Sequence, residues 1–193
     1  MSSREDESTL QEPVGGTKPI EIHSEDGTVT LRQFTLEDAN EIFALIDRNR
    51  EHLSQHGEDT AGKYPTLESV VKSIAEPSNP KRLRFAIRNE KGEFVGSINL
   101  TPDKEDPNRG EIGYYLGGEF TSKGYAGRAV EVLTRYGFKH LGYKEIFGVA
   151  AETNTPSINV LKRLGYTETG RRTTEKRNEI ELSRFKPPAV PQV

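Results

Sequence analysis

Residues 111–127 read Glu111-Ile112-Gly113-Tyr114-Tyr115-Leu116-Gly117-Gly118-Glu119-Phe120-Thr121-Ser122-Lys123-Gly124-Tyr125-Ala126-Gly127. The first six residues form a strand that stops at Gly117-Gly118. Ala126, Ala129, Val130, Leu133 and Gly137 then fall on one face of a helix ending near His140. The first N–H groups of such a helix have no carbonyl partners within it. With Gly124 letting the backbone come close, the segment from Thr121 to Gly127 forms a cradle for a pyrophosphate, and Lys123 and Arg128 add charge beside it. The same residues also read as a glycine-rich turn that binds nothing.

Upstream, Val29 and Leu31 alternate with Thr30 and Arg32 as a strand, and Thr35-Leu36-Glu37-Asp38 reads as a capping box. Ala39, Ile42, Phe43, Ile46 and Leu53 follow at helical spacing, and Pro65-Thr66-Leu67-Glu68 starts a second helix that closes at Pro77 and Pro80. Leu83, Phe85 and Ile87 mark a strand that turns at Asn89-Glu90-Lys91-Gly92 and returns from Glu93 to Leu100. Downstream come a short buried strand over 146–151, a helix over 156–164 with Gly165 at its end, and a strand pair over 166–169 and 178–185. The string β-α-α-β-β-β-α-β-α-β-β describes one α/β (α+β) domain: a mostly antiparallel central sheet flanked by about four helices.

The chain has 193 residues, 32% hydrophobic and 30% charged, with a formal net charge of −3. Residues 1–19 carry two basic and four acidic side chains among Ser, Gly and Pro and read as a disordered tail; residues 187–193 read as a C-terminal tail. The domain is expected over residues 28–186. Zero Cys excludes disulfides, thiolate metal sites and cysteine nucleophiles. No apolar run approaches the ~20 residues needed to span a bilayer, and the N-terminus lacks a secretory pattern. A cytoplasmic protein without membrane attachment is expected. The acidic balance argues against nucleic-acid binding by phosphate neutralisation. From Lys162 to Lys186 eight basic residues face four acidic ones, a solvated surface or a docking patch for an anion. Walker, Rossmann and hydrolase-elbow motifs are absent. His52 and His56 have a metal-compatible spacing, but without Cys or His-Glu-x-x-His they read as a solvent-facing helix end, and no metal is expected.

Lys123-Gly124-Tyr125-Ala126 opening a helix resembles the acetyl-CoA pyrophosphate loop of the GNAT acetyltransferases, and Glu111-Ile112-Gly113-Tyr114 resembles their central strand. Asn154-Thr155-Pro156-Ser157-Ile158-Asn159-Val160-Leu161-Lys162-Arg163-Leu164-Gly165-Tyr166 resembles the Asn-x-x-Ser segment and Gly-aromatic ending of the RimJ/RimL branch. Val29-Thr30-Leu31-Arg32 and Asp47-x-Asn49-Arg50-x-His52-Leu53 are similar to that branch too. The likeness covers residues 28–186.

This resemblance implies a splayed strand pair beside the central strand, with acetyl-CoA as co-substrate and a primary amine as acceptor. A backbone N–H near Tyr115 or Leu116 would bond the thioester carbonyl. The amides of Ser122, Lys123, Gly124, Tyr125, Ala126 and Gly127 would hold the pyrophosphate, and Asn154, aided by Asn159, the pantetheine arm. The acceptor, a protein N-terminus or a small molecule, must lose a proton and then attack directly. Glu111 is the first candidate base and Glu152 the second, although Glu111 also reads as a plain strand residue. The tyrosine that many relatives carry seven residues after the Asn is Leu161 here. Ser157 is the replacement donor to the sulfur, or else a helix-capping hydroxyl. Thr121 stands where a Gln or Arg is usual, and no Trp lines the segment from His56 to Pro65, so ribosomal specificity is not implied. Glu58 and Asp59 there suit a cationic acceptor or a solvated loop. Two other readings are a non-catalytic acyl-CoA sensor and a partner-binding domain using the basic C-terminal surface. A monomer or homodimer is expected.

Overall fold

The computed structural model describes residues 18–57 and 59–188. The tails expected at 1–19 and 187–193 fall largely outside these residues, as does Glu58. Eight strands form one sheet: β1 (Glu21–His23), β2 (Val29–Gln33), β3 (Leu83–Asn89), β4 (Phe94–Pro102), β5 (Arg109–Leu116), β6 (Glu145–Ala151), β7 (Thr167–Thr173) and β8 (Asn178–Phe185). Their order is β1-β2-β3-β4-β5-β6-β8-β7, and only β5 and β6 run parallel. Helices α1 (Ala39–Arg48), α2 (Thr60–Lys63) and α3 (Leu67–Ala75) connect β2 to β3. Helix α4 (Tyr125–His140) crosses from β5 to β6, and α5 (Thr155–Arg163) leads to β7. None of the described helices is long and apolar enough to cross a membrane.

The alternation seen in sequence sets the two faces of the sheet. Leu31 pairs with Ile87, and Phe85 with Ile98, so these fully buried side chains share one face. Each such burial contributes about 1.5–3 kcal/mol. Helix α4 lies against the sheet at Gly137, where a Cβ would come 2.6 Å from Ile146 and 3.0 Å from Leu100. Glycine is required for that approach.

On the opposite face α1 packs against α3 and β4. Its first turn is fixed by Asp38, which is 1% exposed and accepts from the Thr35 N–H at 2.8 Å and Arg88 Nη2 at 2.9 Å, and also bonds Arg32. The capping box thus serves a short 3-10 turn (Leu36–Asp38) that leads into α1.

Three details differ from the sequence reading. β1 is too short and polar to show alternation, yet it pairs with β2. Leu53 is not on α1: Asn49 ends that helix by donating from Nδ2 to the Leu45 carbonyl at 3.0 Å, and Leu53 sits in a separate 3-10 turn, His52–Ser54. Among the described residues there are five α-helices, one of a single turn, where about four were expected.

Candidate active site

The site arises where β5 and β6 part. They pair only at Arg109–Glu145, Gly110–Ile146 and Glu111–Phe147, after which β5 continues on β4 to Leu116 and β6 on β8 to Ala151. This is the splay the resemblance implied. Leu116 faces Gly96, and the next bond in that ladder runs from the Gly117 N–H to the Val95 carbonyl at 3.0 Å. By the alternation of antiparallel pairs, the backbone groups of Tyr115 turn toward β4 and those of Leu116 toward the opening.

A cleft of about 700 Å³ occupies one side of the opening. Tyr115, Leu116, Ser122, Gly124, Ala126, Gly127, Asn154, Ser157 and Asn159 line it, so most residues singled out in sequence converge there. Ser122 (φ 61°) and Gly124 (φ 83°) both adopt the left-handed conformation, which turns successive N–H groups to one side as an anion-binding nest does. The Arg128 N–H bonds the Gly124 carbonyl at 3.2 Å, leaving the Tyr125, Ala126 and Gly127 amides at the open end of α4, whose first turn holds no acidic residue.

The other residues of this loop have separate tasks. Lys123 lies 5.5 Å over the Phe120 ring, and the buried Tyr125 side chain reaches Glu90 at 3.4 Å, so only its backbone serves the loop. Arg128 pairs with Asp26 at 2.6 Å, which holds that carboxyl well below its ordinary range. Asn49 Oδ1 accepts from the Gly118 N–H at 2.8 Å, and Arg48 pairs with Glu119 at 2.7 Å, pinning the approach to the loop.

Across the opening, Asn154 Oδ1 accepts from the Ser157 N–H at 3.2 Å and so caps α5. The Ser157 hydroxyl is therefore not the cap; it lies 2.8 Å from the Tyr114 phenol oxygen. Tyr114 was not singled out in sequence, because strand alternation shows which face it takes but not the α5 residue it meets. α5 ends in a Schellman motif, with Tyr166 N–H bonding the Leu161 carbonyl and Gly165 N–H that of Lys162. Tyr166 is buried, and its hydroxyl lies 2.6 Å from that of Thr134 on α4, which fixes α5 against α4.

A second cleft, of about 720 Å³, lies beyond the opening, and Tyr114, Tyr115 and Ser157 line both clefts. Arg50 shapes its rim by donating to the carbonyls of Ala61, Tyr64 and Pro65. Asp59 belongs to its lining, but among the described residues cations outnumber carboxylates there, so Asp59 does not set the sign of the cleft.

Glu111 and Glu152 line neither cleft. Glu111 is the last β5 residue paired with β6, and its side chain keeps an open side to solvent. The protein packed around it still pushes its carboxyl above the ordinary range, against the pull of Arg82 and Arg172. Glu152 is ion-paired to Arg171 at 2.6 Å.

The family described as the acetyltransferase (GNAT) domain matches residues 28–167. The uncharacterized N-acetyltransferase p20 of Bacillus licheniformis is 36% identical over 144 residues, covering 74% of this chain and 80% of p20. The ribosomal-protein-S5-alanine acetyltransferase from Vibrio fischeri superposes with a TM-score of 0.76 at 21% identity, covering 89% of this chain and all of that one. Mycobacterium smegmatis RimJ, solved in complex with CoA-disulfide, gives 0.70 at 22% identity, covering 86% of each chain. These two structures share the fold. The chain belongs to the GNAT family of acetyltransferases.

Proposed function

We propose that the protein transfers the acetyl group of acetyl-CoA to a primary amine, with coenzyme A in the first cleft and the amine entering from the second. The observation that carries this reading is that both clefts share Tyr114, Tyr115 and Ser157 at the point where β5 and β6 part. Two reactants approaching from opposite sides would meet there in fixed orientation, a large source of rate by itself.

The residues present fit the cofactor. The nest formed by Ser122 and Gly124, with the amides of Tyr125, Ala126 and Gly127, suits a diphosphate. Asn154 and Asn159 stand along the same cleft and would accompany the pantetheine arm. Acetyl-CoA, when bound, supplies an acetyl group activated as a thioester. Of the Tyr115 and Leu116 N–H groups, that of Leu116 is turned to the opening and would receive the carbonyl oxygen.

An α-amino group has a pKa of about 7.7–8.0 and a lysine-like amine about 10.4, so the acceptor must shed a proton. Glu111, with its raised carboxyl pKa, would take it through water, since it stands beside the cleft rather than in its wall. Glu152, held by Arg171, is the weaker candidate. Ser157, backed by Tyr114, would return a proton to the sulfur.

Thiol release from acetyl-CoA with a panel of primary amines tests the reading. Amine-dependent release supports it. Coenzyme A binding without turnover favours an acyl-CoA sensor instead.

A further inference from the structure

We propose that the acceptor carries an anionic oxygen group, a carboxylate or a phosphate, received by Arg82 and Arg84 in the second cleft. The inference rests on the acetyl-transfer reading and narrows its acceptor.

Among the described residues that cleft is lined by six cationic side chains, Lys63, Arg82, Arg84, Arg172, Lys176 and Arg177, against three carboxylates, Asp59, Glu175 and Glu179. The one buried carboxylate, Glu179, is already shared by Arg172 at 2.6 Å and Arg177 at 2.9 Å. Arg84 is half-buried, yet its N–H groups go to neutral acceptors: the Ser73 carbonyl at 2.7 Å, the Tyr64 hydroxyl at 3.2 Å and the Ser73 hydroxyl at 3.3 Å. Its guanidinium stacks 5.0 Å over the Phe34 ring. Arg82 donates only Nε, to the Thr101 hydroxyl at 2.9 Å. Among the described residues neither arginine has a carboxylate within ion-pair distance.

A partly desolvated guanidinium without a counter-charge is costly, and a bound anionic oxygen offsets that cost with the planar fit that arginine offers. Arg84 lies on β3 and Arg82 immediately before it, and both line this cleft. Arg84 also lies within electrostatic reach of Tyr115, which borders both clefts. An anionic group docked at the pair leaves its amine to extend toward the opening between β5 and β6. The surrounding cations lower the amine's proton affinity and disfavour a polyamine. Glu111, whose carboxyl feels the charge of Arg82 and Arg172, adds one more carboxylate nearby and does not cancel the excess of cations over carboxylates.

The test uses acceptors matched except for charge on two frames. The two-carbon frame comprises ethanolamine, β-alanine, phosphoethanolamine and ethylenediamine; the tripeptide-amide frame is Ala-X-Ala with X as Asn, Asp, phosphoserine or Lys. Coenzyme A binding is measured separately by calorimetry. The expected result is a kcat/KM roughly tenfold or more in favour of the anionic member on at least one frame. That preference should fall toward unity in Arg82→Gln and Arg84→Gln and shrink with added salt. The preferred frame and group then tell a small molecule from a protein N-terminus and a carboxylate from a phosphate. Because Arg84 also ties α3 to β3, the exposed Arg82 supplies the variant least able to disturb folding, and thermal melts accompany both. Equal turnover of neutral and anionic acceptors, preference for the diamine, or an anionic preference untouched in Arg82→Gln would each overturn the inference; coenzyme A binding with no acceptor used would overturn the acetyl-transfer reading, and this inference with it. If coenzyme A itself fails to bind, the acetyl-transfer reading falls first.

Discussion

The phenol oxygen of Tyr114 lies 2.8 Å from the hydroxyl of Ser157, joining β5 to α5 across the opening between the two clefts. Either oxygen can donate, so under the proposed reaction the pair could relay a proton to the sulfur. A thiolate of pKa about 8.5 needs little help to leave. Loss of the pair should therefore cost only about 10- to 100-fold in kcat, the low end for general acid catalysis. Ser157→Ala carries most of that loss and Tyr114→Phe part of it, and the double variant falls short of the product of the two, because the residues act as one unit. Steady-state kinetics check this, with the KM for acetyl-CoA nearly unchanged.

If Glu111 is the base, as proposed, it governs the acid side of the pH profile. Packing raises its carboxyl pKa, while Arg82 and Arg172 pull it down. Below that pKa the group is protonated and accepts nothing, so kcat/KM falls with decreasing pH along a limb placed above the ordinary glutamate range of about 4.3. Glu111→Gln removes the limb and Glu152→Gln retains it. Arg82→Gln, assayed with a neutral acceptor, removes a lowering charge and moves the limb to higher pH.

Gly124 tests the cradle. Its φ of 83° is costly for any other residue, and an added Cβ would run into the Arg128 guanidinium. Holding an L-residue in the left-handed region costs roughly 1–2 kcal/mol. If the loop relaxes instead, Gly124→Ala should weaken coenzyme A binding about tenfold, measured by calorimetry, with acceptor KM little changed.

Asp38 links stability to pH. Burial alone would raise its pKa, but the Thr35 N–H, Arg88 and Arg32 hold it below the ordinary value. A folded pKa below the unfolded one, about 3.9, gives stability that is full above that value and lost as pH falls through the folded pKa. Asp38→Asn should cost about 3–5 kcal/mol at neutral pH, as expected when a buried ion pair loses one partner. Its urea-melt stability should then vary less between pH 5 and pH 2, about one pH unit above to about two below the unfolded value, than that of the unaltered chain.

Local signals were legible in the sequence. The strand before Gly117, the helix opening at Gly124, the Thr66 cap of α3 and the end of α5 at Gly165 each depend on a few adjacent residues. The convergence of the Ser122–Gly127 loop with Asn154, Ser157 and Asn159 followed from the resemblance to a family rather than from periodicity. What escaped is non-local: Tyr114 meets Ser157 across 43 positions, Asn49 pins Gly118 across 69, and Arg177 joins the His56 carbonyl across 121. Pattern within one element cannot show which other element its side chains face. The cationic walls of the second cleft escaped for the same reason, since α2, β3 with the residue before it, and the β7–β8 hairpin contribute them from distant parts of the chain.

The central claim is that the amides opening α4 hold the diphosphate of coenzyme A while the Leu116 N–H faces its reactive end. Amide NMR during titration with coenzyme A and then acetyl-CoA tests it directly. The account predicts saturable shifts at Ser122, Gly124, Tyr125, Ala126 and Gly127 with either ligand, and a further shift at Leu116 specific to the acetylated form. Saturable binding that leaves those amides unmoved, or no binding at all, would contradict it.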